Sequence, residues 1–177
     1  MISFDLECDG DGGIVLIEKD KVKTLSKELG ATLNVVIDVE GQTELALDYP
    51  DENWKDAWAK ELDNLEDVCK DGLMFVGLLK DGEYSVDLDV TDKFSDGTLI
   101  GVVKVVGSPL LIVEAGELIQ SIIYPQLSLD VVSEVNLSEG EYGIACNMKE
   151  DRLQIAISKV SSLGVVSNVV ELSGRTA

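Results

Sequence analysis

The apolar runs of this chain are short, aliphatic and separated by turn-forming residues, and this pattern restricts the fold more than any other feature. Residues 14–17, 73–79 and 110–113 are runs dominated by Val, Leu and Ile, and each follows a Gly or Pro. Branched aliphatic side chains favour strands, and runs of this length are typical of strands buried in a core. A hydrophobic fraction of 45% supplies enough apolar surface for a substantial core.

The same pattern predicts strands along most of the chain. Residues 2–8 alternate weakly between polar and apolar side chains, which indicates an edge strand. Two hairpins are expected, one pairing residues 33–39 with 43–47 and one pairing 73–79 with 84–90. The later predicted strands are residues 99–106, 110–113, 127–132, 142–147, 153–158 and 165–170.

Apolar residues at helical spacing predict three helices. The first covers residues 19–29 and ends at Gly30, and a short one covers residues 115–123, ahead of Pro125. The most prominent helix follows Pro50, and its opposite face is acidic. Its apolar stripe recurs every three or four residues and consists of Trp54, Trp58, Leu62, Leu65 and Cys69.

A repeat relates the beginning of the chain to its later part. Residues 12–18 align with residues 108–114, because both contain a turn, an apolar run and a closing glutamate, and Val22 and Leu118 keep the same register. We therefore predict an α+β fold in which two similar β-rich halves pack together, with one prominent acidic amphipathic helix in the first half. The halves would be residues 1–95 and 96–177, as separate units or as one integrated domain.

Three of these segments resemble the immunity protein 21 group of bacterial polymorphic-toxin systems. They are residues 12–18, residues 65–73 with the form Leu-x-x-Val-Cys-x-x-Gly-Leu, and residues 107–112, which repeat the glycine-led opening. Members of this group are small cytoplasmic proteins that are taken to neutralise a cognate toxin. The resemblance therefore implies a binding protein, and it carries no catalytic residues over to this chain.

The charge of the chain restricts its partners. There are 34 acidic and 14 basic residues, and the formal net charge is −20. Nucleic acids and anionic membranes are disfavoured as partners, since both are bound through basic residues. Such a charge steers cationic molecules towards the protein, and it also serves as a general solubilising coat. The favoured partner is a basic protein.

The acidic residues are concentrated in residues 40–71, where eleven acids face three lysines. The simplest interpretation is a solvated helix face; the functional one is a docking surface, since carboxylates spaced three and four apart on one helix can match the Lys and Arg side chains that a nuclease uses on phosphates. A second acidic group lies in the turn after residue 8. The predicted partner-binding residues are Asp51, Glu52, Asp56, Glu61, Asp63, Glu66, Asp67, Asp9 and Asp11.

Catalysis is not predicted. The chain has no histidine, which removes the Ser-His-Asp and Cys-His schemes. Asp5, Glu7 and Asp9 begin like a calcium-binding loop, but Leu16 stands where that loop needs a bidentate glutamate. The widely spaced Cys8, Cys69 and Cys146 are expected to be free thiols. No cofactor and no metal ion are predicted.

These observations predict a cytoplasmic immunity protein that binds and neutralises a cognate bacterial toxin. The first residues carry neither a basic segment nor a long apolar segment, so export is not expected. The alternative is another acidic interaction protein, such as a nucleic-acid mimic or an assembly adaptor.

Overall fold

The computed structural model describes residues 1–8, 12–22, 69, 72–92, 99–123, 129–160 and 168–172. Within these residues the chain forms ten strands, one short 3-10 turn at Lys19–Lys21 and one α-helix. In chain order the elements are β1 (Ile2–Cys8), β2 (Gly13–Glu18), β3 (Met74–Leu78), β4 (Gly82–Val90), β5 (Leu99–Val105), β6 (Leu110–Glu114), α1 (Ala115–Ile123), β7 (Ser133–Val135), β8 (Gly140–Lys149), β9 (Arg152–Val160) and β10 (Val169–Glu171).

The strands form two five-stranded sheets. Sheet A has the order β1-β4-β9-β8-β5 and sheet B has the order β10-β3-β2-β6-β7. Each sheet contains strands from residues 1–95 and from residues 96–177. Most neighbours are antiparallel, but β4 with β9 and β10 with β3 are parallel pairs.

The main core lies between the two sheets. It takes side chains from sheet A, such as Leu6 and Ile155, and from sheet B, such as Leu16 and Phe75. Sheet A contributes one face only, and its strands alternate accordingly: on β4 the side chain of Val86 is buried while that of Ser85 is exposed. This alternation is typical of a sheet with one face in the core and one in water.

Sheet B is buried on both faces. All six residues of β2 are buried, and Val15 and Ile17 belong to a second core cluster on the side away from sheet A. Leu118 of α1 packs in this cluster. The continuous apolar runs of β2 and β6 fit this environment, because few positions on a strand covered on both faces favour a polar side chain.

The two segments of the sequence repeat are both strands, and they pair with each other. β2 and β6 are antiparallel, with Leu16 directly opposite Ile112. These two residues also occupy equivalent positions in the repeat, so the pair has a local two-fold relationship. The relationship extends outwards, since β1–β4 matches β5–β8 and β2–β3 matches β6–β7 as antiparallel pairs. β9 and β10 have no counterpart in this scheme.

The predicted fold class is wrong. The described chain is a β-rich structure of two five-stranded sheets, and the α-helix that it contains is the nine-residue α1 in the second half. The aliphatic runs form strands in both sheets, and among the described residues these strands supply nearly all of the core between them. The helix predicted after Pro50 lies outside the described residues, as do the hairpin of residues 33–39 and 43–47 and most of the predicted helix 19–29.

Two local predictions are corrected as well. Residues 73–79 and 84–90 are strands but not a hairpin, because β3 belongs to sheet B and β4 to sheet A. The connection after Leu78 crosses from sheet B, which is buried on both faces, to sheet A, which has one face in water. In the predicted strand 127–132 the described residues are not in a strand, and β7 begins at Ser133. By contrast, the helix predicted over residues 115–123 is α1.

Close contact between the sheets depends on Gly101 of β5. A Cβ atom added at Gly101 would lie 2.3 Å from Cδ2 of Phe75, a fully buried side chain of β3. Carbon atoms in contact are normally separated by roughly 3.5–4.0 Å, so the Phe75 ring would have to move. Gly101 therefore leaves the space that Phe75, the largest fully buried side chain of the described residues, occupies.

We expect Gly101→Ala to lower the free energy of unfolding by about 1–3 kcal/mol, because it overpacks the core against Phe75. Phe75→Leu alone should also destabilise the protein through lost burial. The double variant should be more stable than the sum of the two single effects predicts, since the smaller side chain makes room for the new methyl group. Urea unfolding of the four proteins measures this coupling, and strict additivity would contradict the contact.

Candidate functional site: two buried glutamates and an acidic sheet edge

Glu18 ends β2 and is almost completely buried, with 1% of its surface exposed. Its Oε2 atom accepts hydrogen bonds from the N–H groups of Val106, Gly107 and Ser108, each at 2.8 Å. These residues form the turn between β5 and β6. Three backbone donors converging on one carboxylate oxygen make a strong anion site, which the protein fills with its own side chain.

Lys21 completes the surroundings of Glu18. Its Nζ atom lies 3.6 Å from Oε1 of Glu18 and also donates a hydrogen bond to the carbonyl oxygen of Lys104. Burial alone would raise the pKa of Glu18, but the three N–H donors and the Lys21 ammonium outweigh it and lower that pKa below its usual value. Burial lowers the pKa of Lys21, against the influence of Glu18. The group is an internally satisfied polar network.

Glu114 ends β6 and is the counterpart of Glu18 in the repeat. Its Oε2 atom accepts the N–H of Glu117 at 3.0 Å, so the side chain caps the first turn of α1. Its Oε1 atom lies 3.4 Å from the N–H of Gly13, which begins β2. Each glutamate therefore contacts backbone N–H groups at or just before the start of the strand that pairs with its own.

The pKa values of the two glutamates are shifted in opposite directions. Burial raises the pKa of Glu114, and although the N–H groups of Gly116, Glu117 and Gly13 oppose this, the pKa remains above its usual value. Glu18 has a neighbouring ammonium group, whereas Glu114 has the carboxylate of Glu117 nearby. Both side chains stabilise the pairing of β2 with β6. Their carboxylate oxygens are engaged by backbone N–H groups and are not available to a substrate.

The Cys8 thiol is poorly suited to nucleophilic chemistry. Burial, with smaller contributions from Glu114 and Asp81, raises the pKa of Cys8 to about 12. Because the thiolate is the reactive form, this thiol stays protonated and inert at neutral pH. Cys69 is also buried, and Cys146 is partly buried on β8.

At one edge of sheet A, the neighbouring strands β1 and β4 carry a group of carboxylates on the outer face. We call Asp5, Glu7 and Glu83 the acidic edge. All three are exposed, and Glu7 of β1 lies directly opposite Glu83 of β4. Within the described chain no ion pair involves them.

The neighbouring carboxylates on this face are paired. Asp87 accepts hydrogen bonds from the hydroxyl of Ser3 at 2.7 Å and from Arg152 at 2.6 Å. The Ser3 hydroxyl, and after it the Arg152 guanidinium, hold the pKa of Asp87 below its usual value. Asp89 lies 3.9 Å from the amino terminus of Met1. Asp87 and Asp89 thus have a cationic partner within the described chain, whereas the carboxylates of the acidic edge have none.

All of the partner-binding residues predicted from the sequence lie outside the described residues. They are Asp51, Glu52, Asp56, Glu61, Asp63, Glu66, Asp67, Asp9 and Asp11. Sequence reasoning missed the acidic edge, although the alternation of Asp5, Leu6 and Glu7 places both acids on one face of a strand. Their position opposite Glu83 could not be predicted, because β1 pairs with a strand distant in the sequence.

Two further properties concern the described residues only. No group of cysteine, aspartate and glutamate side chains among them is arranged to hold a metal ion. None of their helices combines the length and apolar character needed to cross a membrane.

We predict opposite pH responses for Glu18→Gln and Glu114→Gln. The lowered pKa of Glu18 stabilises the folded state above the unfolded pKa of about 4.3, and this stabilisation is lost as the pH falls. The raised pKa of Glu114 stabilises the folded state at low pH, and this is lost as the pH rises. As the pH rises from about 4 to about 7.5, the free energy of unfolding of Glu18→Gln relative to the parent protein should therefore fall. That of Glu114→Gln relative to the parent should rise.

Urea unfolding at the two pH values measures both responses. At neutral pH Glu18→Gln should cost about 1.5–3 kcal/mol, since it removes hydrogen bonds to a buried charged group. Replacement of the exposed Gln154 on β9 by alanine serves as a control whose effect should not change with pH. Responses of the same sign in the two glutamine variants would contradict the opposite directions of the two pKa shifts.

No family model, curated protein or solved structure matches this chain. The comparisons therefore assign no family and no activity to it. The immunity protein 21 resemblance remains a hypothesis that rests on the sequence segments themselves.

Proposed function

We propose that this chain is an immunity protein that binds a basic bacterial toxin in the cytoplasm and blocks it by occupying the toxin's cationic surface. The observation that carries the proposal is the net charge of −20 in a chain with no histidine. Binding of this kind needs no chemistry from the immunity protein. It needs a surface whose charge is complementary to the surface that it covers.

The charge argues for the class of partner. A protein with 34 acidic and 14 basic residues repels phosphates, whereas toxins that act on nucleic acids must present Lys and Arg to them. The acidic residues 40–71 and the acidic edge both add to the attraction. Long-range attraction of this kind increases the rate of association and suppresses binding to acidic competitors.

The described side chains support binding rather than catalysis. The buried glutamates are bound to backbone N–H groups, and the Cys8 thiol has a pKa of about 12. The large double-sided core of sheet B gives a rigid support for surface residues. The resemblance to the immunity protein 21 group supplies the biological setting, in which the toxin gene lies beside that of the immunity protein.

The test is protection of cells and direct binding. The product of the adjacent toxin gene, expressed alone, should stop bacterial growth, and co-expression of this chain should restore it. The purified pair should form a complex whose association rate falls as salt is raised. A complex that forms without restoring growth, or no complex at all, would contradict the proposal. Inhibition of several unrelated DNA-binding proteins would instead favour a nucleic-acid mimic.

We predict that reversing Asp56, Asp63 and Asp67 to Lys slows association and weakens its salt dependence, while the dissociation rate changes little. The reason is that steering by distributed charge acts mainly before contact. Stopped-flow or surface-based kinetics at two salt concentrations measures this effect.

A matched control reverses three exposed acids on and beside β7, namely Asp130, Glu134 and Glu139. Both triple variants change the net charge by the same amount. A local contribution from residues 56–67 therefore requires a larger fall in the association rate than the control shows. Equal association rates in the two variants would show that residues 56–67 act only through their contribution to the net charge.

A further inference from the structure

The four outer edges of the two sheets are closed to different degrees. In sheet B the edge strands β7 and β10 are three residues long, and such short edges offer little to pair with. In sheet A the edge at β5 is occupied in part by Asn168, whose Oδ1 atom accepts the N–H of Val102 at 2.8 Å. The same side chain donates to the carbonyl oxygen of Cys69 at 2.9 Å.

The remaining edge is β1, which is long and has no strand on its outer side among the described residues. It has seven residues, Ile2–Cys8, and within the described chain its backbone hydrogen bonds go to β4 alone. Alternate residues of an edge strand therefore direct their N–H and C=O groups away from the sheet. Such a row of groups is a template for one more strand.

The two faces of β1 favour different side chains on an added strand. On the core side Ile2 and Phe4 are only partly buried, although both pack against the main core. Apolar side chains of an added strand would cover them. On the outer side Asp5 and Glu7 are exposed and form no ion pair within the described chain, although Asp5 accepts a hydrogen bond from the Ser85 hydroxyl at 3.5 Å, so basic side chains of the same strand would lie beside them.

The acidic edge also carries a repulsion that a basic partner would relieve. Glu7 and Glu83 are directly opposite on neighbouring strands, and like charges in that position destabilise a sheet. A cationic side chain placed next to Glu7 would reduce this repulsion. The free protein therefore holds a charge arrangement that is better satisfied with a cation present.

We propose that β1 is a docking edge for an extended basic segment of a partner protein, which adds to sheet A as a sixth strand. The segment alternates basic residues, beside Asp5 and Glu7, with apolar residues, beside Ile2 and Phe4. The proposal rests on the proposed function in taking the partner to be a basic protein. It names the surface that the partner covers.

A second copy of this chain is a poor occupant of the same edge. Pairing of β1 with β1 would bring a second set of Asp5 and Glu7 side chains onto the same outer face as the first. Two chains of net charge −20 would also repel each other over the whole approach. Charge complementarity therefore favours a basic segment over self-association.

The experiment uses the full chain and a synthetic peptide of alternating Lys and Val, about eight residues long, which is a length that an edge strand of this kind can span. Hydrogen exchange resolved by NMR is recorded with and without the peptide. We expect slower exchange at alternate amides of β1, since only every second N–H faces the added strand. The same peptide methylated on the backbone nitrogen of every second residue should lose this protection.

A protein variant separates docking from folding. Glu7→Gln with Glu83→Gln should weaken the affinity for the peptide by roughly two- to fivefold, because the cross-strand charge pair between Glu7 and the added strand is lost. The same variant should unfold at an equal or higher urea concentration than the parent, since it removes a like-charge pair. The matched control is Glu134→Gln with Glu139→Gln, which changes the net charge equally and leaves β1 and β4 unaltered.

Protection of β1 by the alternating peptide and not by its methylated form supports the docking edge. Equal binding of the two peptides, or protection confined to other strands, overturns it, because attraction would then depend on charge alone. Protection of β1 in the protein without peptide, rising with protein concentration, also overturns it in favour of self-pairing. A toxin that fails to bind while the peptide protects β1 would contradict the immunity function and leave the docking edge standing.

Discussion

The pairing of β2 with β6 is the contact on which the rest of the structure depends. Leu16 and Ile112 meet at its centre, and the buried glutamates at its two ends bind backbone N–H groups at or before the start of the opposite strand. A buried carboxylate is costly unless hydrogen bonds satisfy it. Glu18 and Glu114 can therefore remain in the core only while the two strands keep this register, and each strand positions the sheet neighbours of its own half.

The sequence predicted the strands better than it predicted their partners. Aliphatic runs such as residues 110–113 become strands wherever they are placed, because branched side chains pack well on a pleated surface. Pairing depends on contacts between distant segments. The continuous apolar run of β3 and the alternating run of β4 already indicated two different environments, and reading them as one hairpin ignored that difference. The α+β prediction relied on the acidic helix predicted after Pro50, and local periodicity of this kind does not indicate which layers form the core.

The candidate surfaces show a similar division. The repeat places Glu18 and Glu114 at equivalent positions, but a glutamate after an apolar run reads as exposed until its three backbone donors are known. The acids of residues 51–67 were evident from composition. Glu83 could be recognised as part of the acidic edge only after the structure placed it opposite Glu7. Charge density can thus be read from a sequence, while the arrangement of charges across strands requires the fold.

The position of β9 has a consequence for the order in which this protein can assemble during synthesis. β9 lies between β4 and β8, so it joins the strands of the first half to those of the second within sheet A. A ribosome releases residues 152–160 only after all the other strands of that sheet. Until then β1–β4 and β5–β8 are separate ribbons with open inner edges. Closure of sheet A is therefore a late, long-range event, and such events slow folding and lengthen the exposure of unpaired strands.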